Sequence, residues 1–159
     1  KGGSPLRMSS FCINKSEFIA IGCFPKNQKV GAEQEFMARV ALKSVIAYSH
    51  SVLVFYDAEH NDCFNQRIIP AAECEFSKHI YQWANEAGRP KALKESMINY
   101  TASHLLRLVE LNVNLGRINA ARSILSDERC KRQPLRYIWC AVKCWFSRYV
   151  IARPEPSVI

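Results

Sequence analysis

Gly31-Ala32-Glu33-Gln34-Glu35-Phe36-Met37-Ala38-Arg39-Val40-Ala41-Leu42 is the stretch on which the reading of this chain turns. Ala32, Phe36, Val40 and Ala41 recur at helical spacing and make one apolar stripe. Glu35 and Arg39 stand four apart in the order that favours a surface ion pair. The pattern predicts a helix opening just after Gly31, with Glu33 in its first turn.

On the N-terminal side, Met8–Ile13 has strand composition. Asn14 then offers a side-chain cap, with Glu17 three residues on in a capping-box arrangement. A short helix through Phe18, Ile19 and Ile21 is expected to stop at Gly22. Phe24 to Lys29 is read as a loop. On the C-terminal side, Val45–Ser49 and Val52–Tyr56 are apolar, partly β-branched runs and are predicted as two short strands. The polar stretch Asp57–Asn65 is read as a loop.

From about residue 70 the pattern is helical throughout. Ile98, Ala102, Leu105, Val109 and Val113 lie at helical spacing and end at Gly116. Ile118, Ala121 and Leu125 continue on a shorter helix, which predicts an αα-hairpin. Pro134 suits the first turn of a last helix. Leu135, Ile138, Trp139, Val142, Trp145, Phe146 and Tyr149 line one side of that helix. The expected organisation is an α/β segment over 1–66 and a helical extension over 67–159.

Composition bounds the function. The chain has 159 residues, 48% apolar and 23% charged, which suits a folded domain with a real core. Six glycines and seven prolines exclude a collagen-like or linker-dominated chain. Lys143 and Ser49-His50-Ser51 interrupt the longest apolar runs, short of the roughly 18–20 residues of a spanning helix. The opening Lys1-Gly2-Gly3-Ser4-Pro5 has neither an initiator Met nor a signal-peptide core and reads as a cut into a longer protein.

The seven cysteines form no Cys-x-x-Cys, and His50, His60, His79 and His104 stand at no zinc-ligand spacing to them. That points to a reduced, cytoplasmic chain. The sequons at Asn14 and Asn99 are read as chance.

Three to one, the positive charge lies in the tail. Residues 129–159 carry seven cations against Glu155 alone, and so hold six of the eight net positive charges. This suggests an anionic partner. Aromatic residues interleaved with cations over 129–153 suit a helix lying in the headgroup layer of an anionic membrane, peripheral at its cytoplasmic face. Packing of the same stripe on the αα-hairpin is the other destination. No nucleic-acid motif is present, and nucleic acid is not expected as a partner.

The order of elements carries a resemblance. Ser9-Ser10-Phe11-Cys12-Ile13, then Phe18–Pro25 with Ile21-Gly22-Cys23-Phe24-Pro25, then Gly31–Leu42, then Ile46-Ala47-Tyr48-Ser49, and last Tyr56 with Asn61, resembles the C-terminal half of the catalytic domain of family-2 glycosyltransferases of the GT-A fold. That family has an "IGGF-P" turn, a "GED" helix start with Arg six residues beyond its Asp, and an "AYS" strand. Glu33 stands where the family has Asp, one methylene longer, and Cys23 replaces the second Gly of the turn.

The resemblance implies an inverting sugar transfer with Glu33 as general base, acting on a nucleotide-diphosphate sugar donor and a saccharide or lipid-linked acceptor in surface-polysaccharide synthesis. The dipole of the helix favours an anion in its first turn. Ser9, Ser10 and Gly31 become candidates for the acceptor pocket, Gly22, Glu35 and Arg39 for structural support, and His60 for a metal contact. The family holds Mg or Mn through an Asp-x-Asp motif that does not occur here. The metal and donor ligands are thus expected mostly outside this chain, which alone is expected to be inactive. Cys23 is expected to cost nothing if its backbone is ordinary. The alternative is a non-catalytic helical module that binds a protein or a membrane surface.

Overall fold

The structure is a computed structural model that describes residues 10–26, 28, 30–49, 51 and 69–146. The chain divides into two compact units, Lys1–Arg67 and Ile68–Ile159. Helix makes up 68% of the described residues, and there is no strand or sheet among them. The expected α/β architecture of a GT-A half-domain is therefore corrected to a helical one over the described residues.

The strand readings show why. Ser10 sits in a short helical turn, and residues 11–14 are irregular. Residues 45–49 are irregular as well, with Val45 fully exposed and Ile46 and Tyr48 exposed. A β-branched composition makes a strand only when a neighbouring strand takes its backbone N–H and C=O groups and a core takes its side chains. The described residues offer neither. The predicted strand at 52–56 and the loop at 57–65 lie outside the described residues, as do Met8 and Ser9.

In the first unit, α1 is Lys15–Ile21 and α2 is Ala32–Lys43. Asn14 caps α1 as expected, its Oδ1 accepting from the Ser16 N–H at 2.9 Å. Glu17 does not close a capping box. It accepts instead from the Ser44 hydroxyl at 3.4 Å, tying the start of α1 to the end of α2. Ile21, Phe36 and Val40 form the core, with Phe11, Ile13 and Phe18 packed against it. Phe18, Phe24 and Phe36 stack as a tilted trio, with ring centroids 4.7–5.5 Å apart. Of the predicted stripe on α2, Phe36 and Val40 are buried, Ala32 is half-buried and Ala41 is exposed.

In the second unit, α3 is Glu75–Ala84, α4 is Lys91–Asn114, α5 is Ile118–Leu125 and α6 is Pro134–Phe146, with a 3-10 turn at Glu128–Arg132. The long α4 lies at the centre and packs on all the others. It buries Ile98, Ala102, Leu105, Leu106, Leu108 and Val109 against Phe76 and Ile80 of α3, Ala121 and Ile124 of α5, and Cys140 of α6. Asn112 holds the entering chain, its Nδ2 donating at 2.9 Å to both Pro70 O and Leu108 O. Arg117 adds a bond to Ile69 O.

Two expectations about the tail are corrected here. The aromatic stripe of α6 does not pack on the αα-hairpin: Cys140 and Cys144 are the buried positions, while Leu135, Ile138, Trp139, Val142, Trp145 and Phe146 are exposed. Small thiols let α6 lie close to its neighbours, which turns the bulky side outward. Arg129, counted above as a tail cation, is buried.

The Arg129 guanidinium donates to both carboxylate oxygens of Glu73, at 2.8 and 2.7 Å, and to Asp127 at 2.9 and 2.7 Å, and it lies over the Tyr81 ring. Burial works against the charge of Arg129, but these two carboxylates outweigh it and raise its pKa; bonding to Arg129 holds Asp127 below the usual carboxylate range. Such an arrangement is costly to break from either side, because it leaves a buried charge uncompensated.

Candidate functional site

Arg39 ties together the two motifs of the first unit. Its Nη1 donates to Ile21 O at 2.7 Å and its Nη2 to Cys23 O at 2.5 Å. One planar fork thus grips both sides of the turn that ends α1. Hydrogen bonds from a charged donor contribute about 1.5–3 kcal/mol each. The expected Arg39 partner, Glu35, is buried, with Oε1 3.9 Å from Arg39 Nε, beyond hydrogen-bonding reach. The i,i+4 spacing is met, but the guanidinium's hydrogen bonds go to the backbone carbonyls.

The turn is shaped to receive that fork. The N–H of Gly22 donates to Ile19 O and that of Cys23 to Phe18 O, both at 3.0 Å, so the turn itself satisfies those two carbonyls, and the carbonyls of Ile21 and Cys23 accept from Arg39. Gly22 sits at φ +100°, and a Cβ added there would stand 3.1 Å from Arg39 Nη1. Position 22 therefore needs glycine for both backbone and space. Cys23 is at φ +53°, in the left-handed region, so the ordinary backbone on which a cost-free cysteine depends is not met here.

At the other end of the clamp, Gly31 turns the chain into α2 at φ +82°, and its carbonyl accepts from the Glu35 N–H at 2.9 Å. Gly31 supplies backbone conformation, not a side-chain cap, to the opening of α2. Glu33 lies in that first turn and is exposed, while Glu35 in the same turn is buried. The two acidic residues thus separate into one facing inward beside Arg39 and one facing solvent at the positive end of a helix.

The structure therefore brings Gly22, Glu35 and Arg39 into one cluster and places Gly31 and Glu33 at the start of the helix that Arg39 anchors. Ser10 is exposed ahead of α1. Ser9, His60, Tyr56 and Asn61 lie outside the described residues. Among the described residues no group of three or more His, Cys, Asp or Glu side chains is placed to hold a metal ion. His60, the one residue of this chain named for a metal contact, lies outside the described residues.

The described cysteines are free thiols. Burial pushes Cys130 up to about 12 and Cys140 up to about 11, so both are packing residues and poor nucleophiles. Among the described residues no helix is long and apolar enough to cross a membrane.

Sequence reasoning missed two features. One is the strain at Cys23, for which a helix-ending glycine followed by a non-glycine gave only a faint signal. The other is the target of Arg39, for which the sequence offered no signal, because backbone carbonyls carry none. Comparison with protein-family models, with curated proteins and with solved structures finds no match to this chain.

Proposed function

We propose that the first unit supplies the acceptor side of a nucleotide-sugar transferase, with Glu33 as its general base. The observation that carries this reading is the Arg39 clamp. It joins the turn that ends α1 to the middle of α2, the helix that opens at Gly31 and carries Glu33, through two charge-assisted hydrogen bonds; these are two of the segments whose order gave the resemblance. An accessible carboxylate in a helix's first turn, on a backbone held by that clamp, is what proton abstraction from a hydroxyl requires.

In the reaction the acceptor hydroxyl oxygen attacks the anomeric carbon of the donor sugar. Its proton passes to the Glu33 carboxylate as the new glycosidic bond forms. The bond to the nucleoside diphosphate breaks on the opposite face, and the diphosphate leaves with the electron pair. The acceptor is a saccharide or a lipid-linked saccharide at the cytoplasmic side of a membrane. Donor-binding groups, and any metal at the diphosphate, come from residues other than those described.

In the whole protein, Glu33→Gln is expected to lower the transfer rate about 10²–10⁴-fold with donor affinity little changed. Glu33→Asp, which restores the carboxylate, is expected to recover much of it. Full transfer by Glu33→Gln removes Glu33 as the base.

A further inference from the structure

The exposed stripe of α6 is the feature of the second unit that its own fold does not use. Leu135, Ile138, Trp139, Val142, Trp145 and Phe146 fall within one side of the helix, opposite the buried Cys140 and Cys144. Leu135 is 85% exposed, and Trp139 and Trp145 are 55% and 56% exposed. Trp145 meets Phe146 edge-on, with ring centroids 5.0 Å apart. An apolar stripe of this size left in water marks a contact surface.

Charge narrows what that surface meets. Lys131, Arg132 and Arg136 are paired with Glu128, Glu95 and Glu110, and Arg129 is buried, so these four are matched within the unit. Lys143 lies instead on the edge of the stripe, its Nζ 5.0 Å from the Trp139 ring centroid. From Pro134 to Phe146 the helix contains no acidic residue, and the sequence beyond adds Arg148 and Arg153 before the first acid, Glu155. Two copies of such a face would set cation against cation. Trp139 beside Lys143, with Trp145 on the same apolar side, matches instead the boundary between acyl chains and anionic headgroups, where an indole is amphipathic and an ammonium finds phosphate.

We infer that α6 binds an anionic phospholipid surface through Leu135, Ile138, Trp139, Val142, Trp145 and Phe146, with Lys143 at the headgroups. The helix lies in the plane of the interface, its apolar side a few ångströms into the bilayer. This inference stands on the second unit alone and does not depend on the role given to Glu33.

The test is co-sedimentation of the 159-residue chain with vesicles of phosphatidylcholine alone and of phosphatidylcholine with phosphatidylglycerol, with tryptophan emission followed in parallel. Recovery with the anionic vesicles, a blue shift and loss of binding at high salt are expected. Trp139→Ser is expected to weaken binding roughly tenfold or more. Lys143→Gln should weaken it about fivefold on anionic vesicles and leave any binding to neutral ones unchanged. Leu135→Ser, at the most exposed position, serves as a second apolar variant with little bearing on folding.

Equal recovery on neutral and anionic vesicles, or binding that neither apolar variant alters, would overturn the inference. So would concentration-dependent self-association that Trp139→Ser abolishes while vesicle binding is absent, since that would make a second copy the occupant.

Discussion

The two units of this chain hold themselves together by different means. In the second, α4 buries apolar residues against α3, α5 and α6, and its one large polar arrangement, Arg129 with Glu73 and Asp127, is itself largely buried. In the first, among the described residues, Ile21, Phe36 and Val40 make the core with Phe11, Ile13 and Phe18 packed against it, and one arginine grips two carbonyls of the turn. A large apolar core tolerates the loss of one hydrogen bond; a small core positioned by one side chain does not. Among the described residues, the unit that presents the candidate catalytic carboxylate is thus the one with the smaller core.

The sharpest contrast to test lies in pH. His104 of α4 stands edge-on to Phe76, with ring centroids 4.7 Å apart. Burial, with Arg107 and Arg129 nearby, pulls its pKa from 6.5 down to about 4, against the opposing pull of Glu73. The fold therefore favours neutral imidazole, and the unfolded chain takes up the proton first as pH falls. His104 contributes stability that is fully present above pH 6.5 and lost as pH drops toward 4, by about 2–3 kcal/mol. Urea unfolding of the second unit followed over that window should show the loss, and His104→Leu should flatten that part of it. A profile unchanged by His104→Leu would remove this contribution.

The next effects belong to the first unit and have opposite signs at adjacent positions. Gly22→Ala forces a Cβ into the left-handed region and against Arg39 Nη1, and should cost about 1–2 kcal/mol. Cys23→Gly relieves the strain at φ +53° and should stabilise by about 0.5 kcal/mol after the added freedom of the unfolded chain is counted. Thermal unfolding of the two variants checks both; the same sign for both would contradict the backbone geometry described here.

How far the sequence could be read follows the same division between local and distant causes. The Asn14 cap, the stop at Gly22, the opening at Gly31, the αα-hairpin closing at Gly116 and the start at Pro134 were legible because caps and turns are set within a few residues. The strand expected at 45–49 failed because pairing is a distant property, and that stretch is irregular with Val45, Ile46 and Tyr48 exposed. Helical spacing showed that α6 has an apolar stripe but could not show that the thiol side, not the aromatic side, would be buried. The cationic tail was overcounted because Glu73, 56 residues away in sequence, neutralises Arg129. At the candidate site, Glu35 and Arg39 could be named from spacing and Glu33 only from the resemblance, whereas the carbonyls that Arg39 holds could not be named at all.

Hydrogen exchange of the Arg39→Met chain against the natural one tests the clamp most directly. The amides of Gly22 and Cys23, bonded to Ile19 O and Phe18 O, are predicted to exchange about tenfold faster or more once the guanidinium is gone, while the amides of Leu105 and Val109 in α4 keep their protection. Unchanged exchange at Gly22 and Cys23 would contradict the account, because the turn that ends α1 would then be held without Arg39.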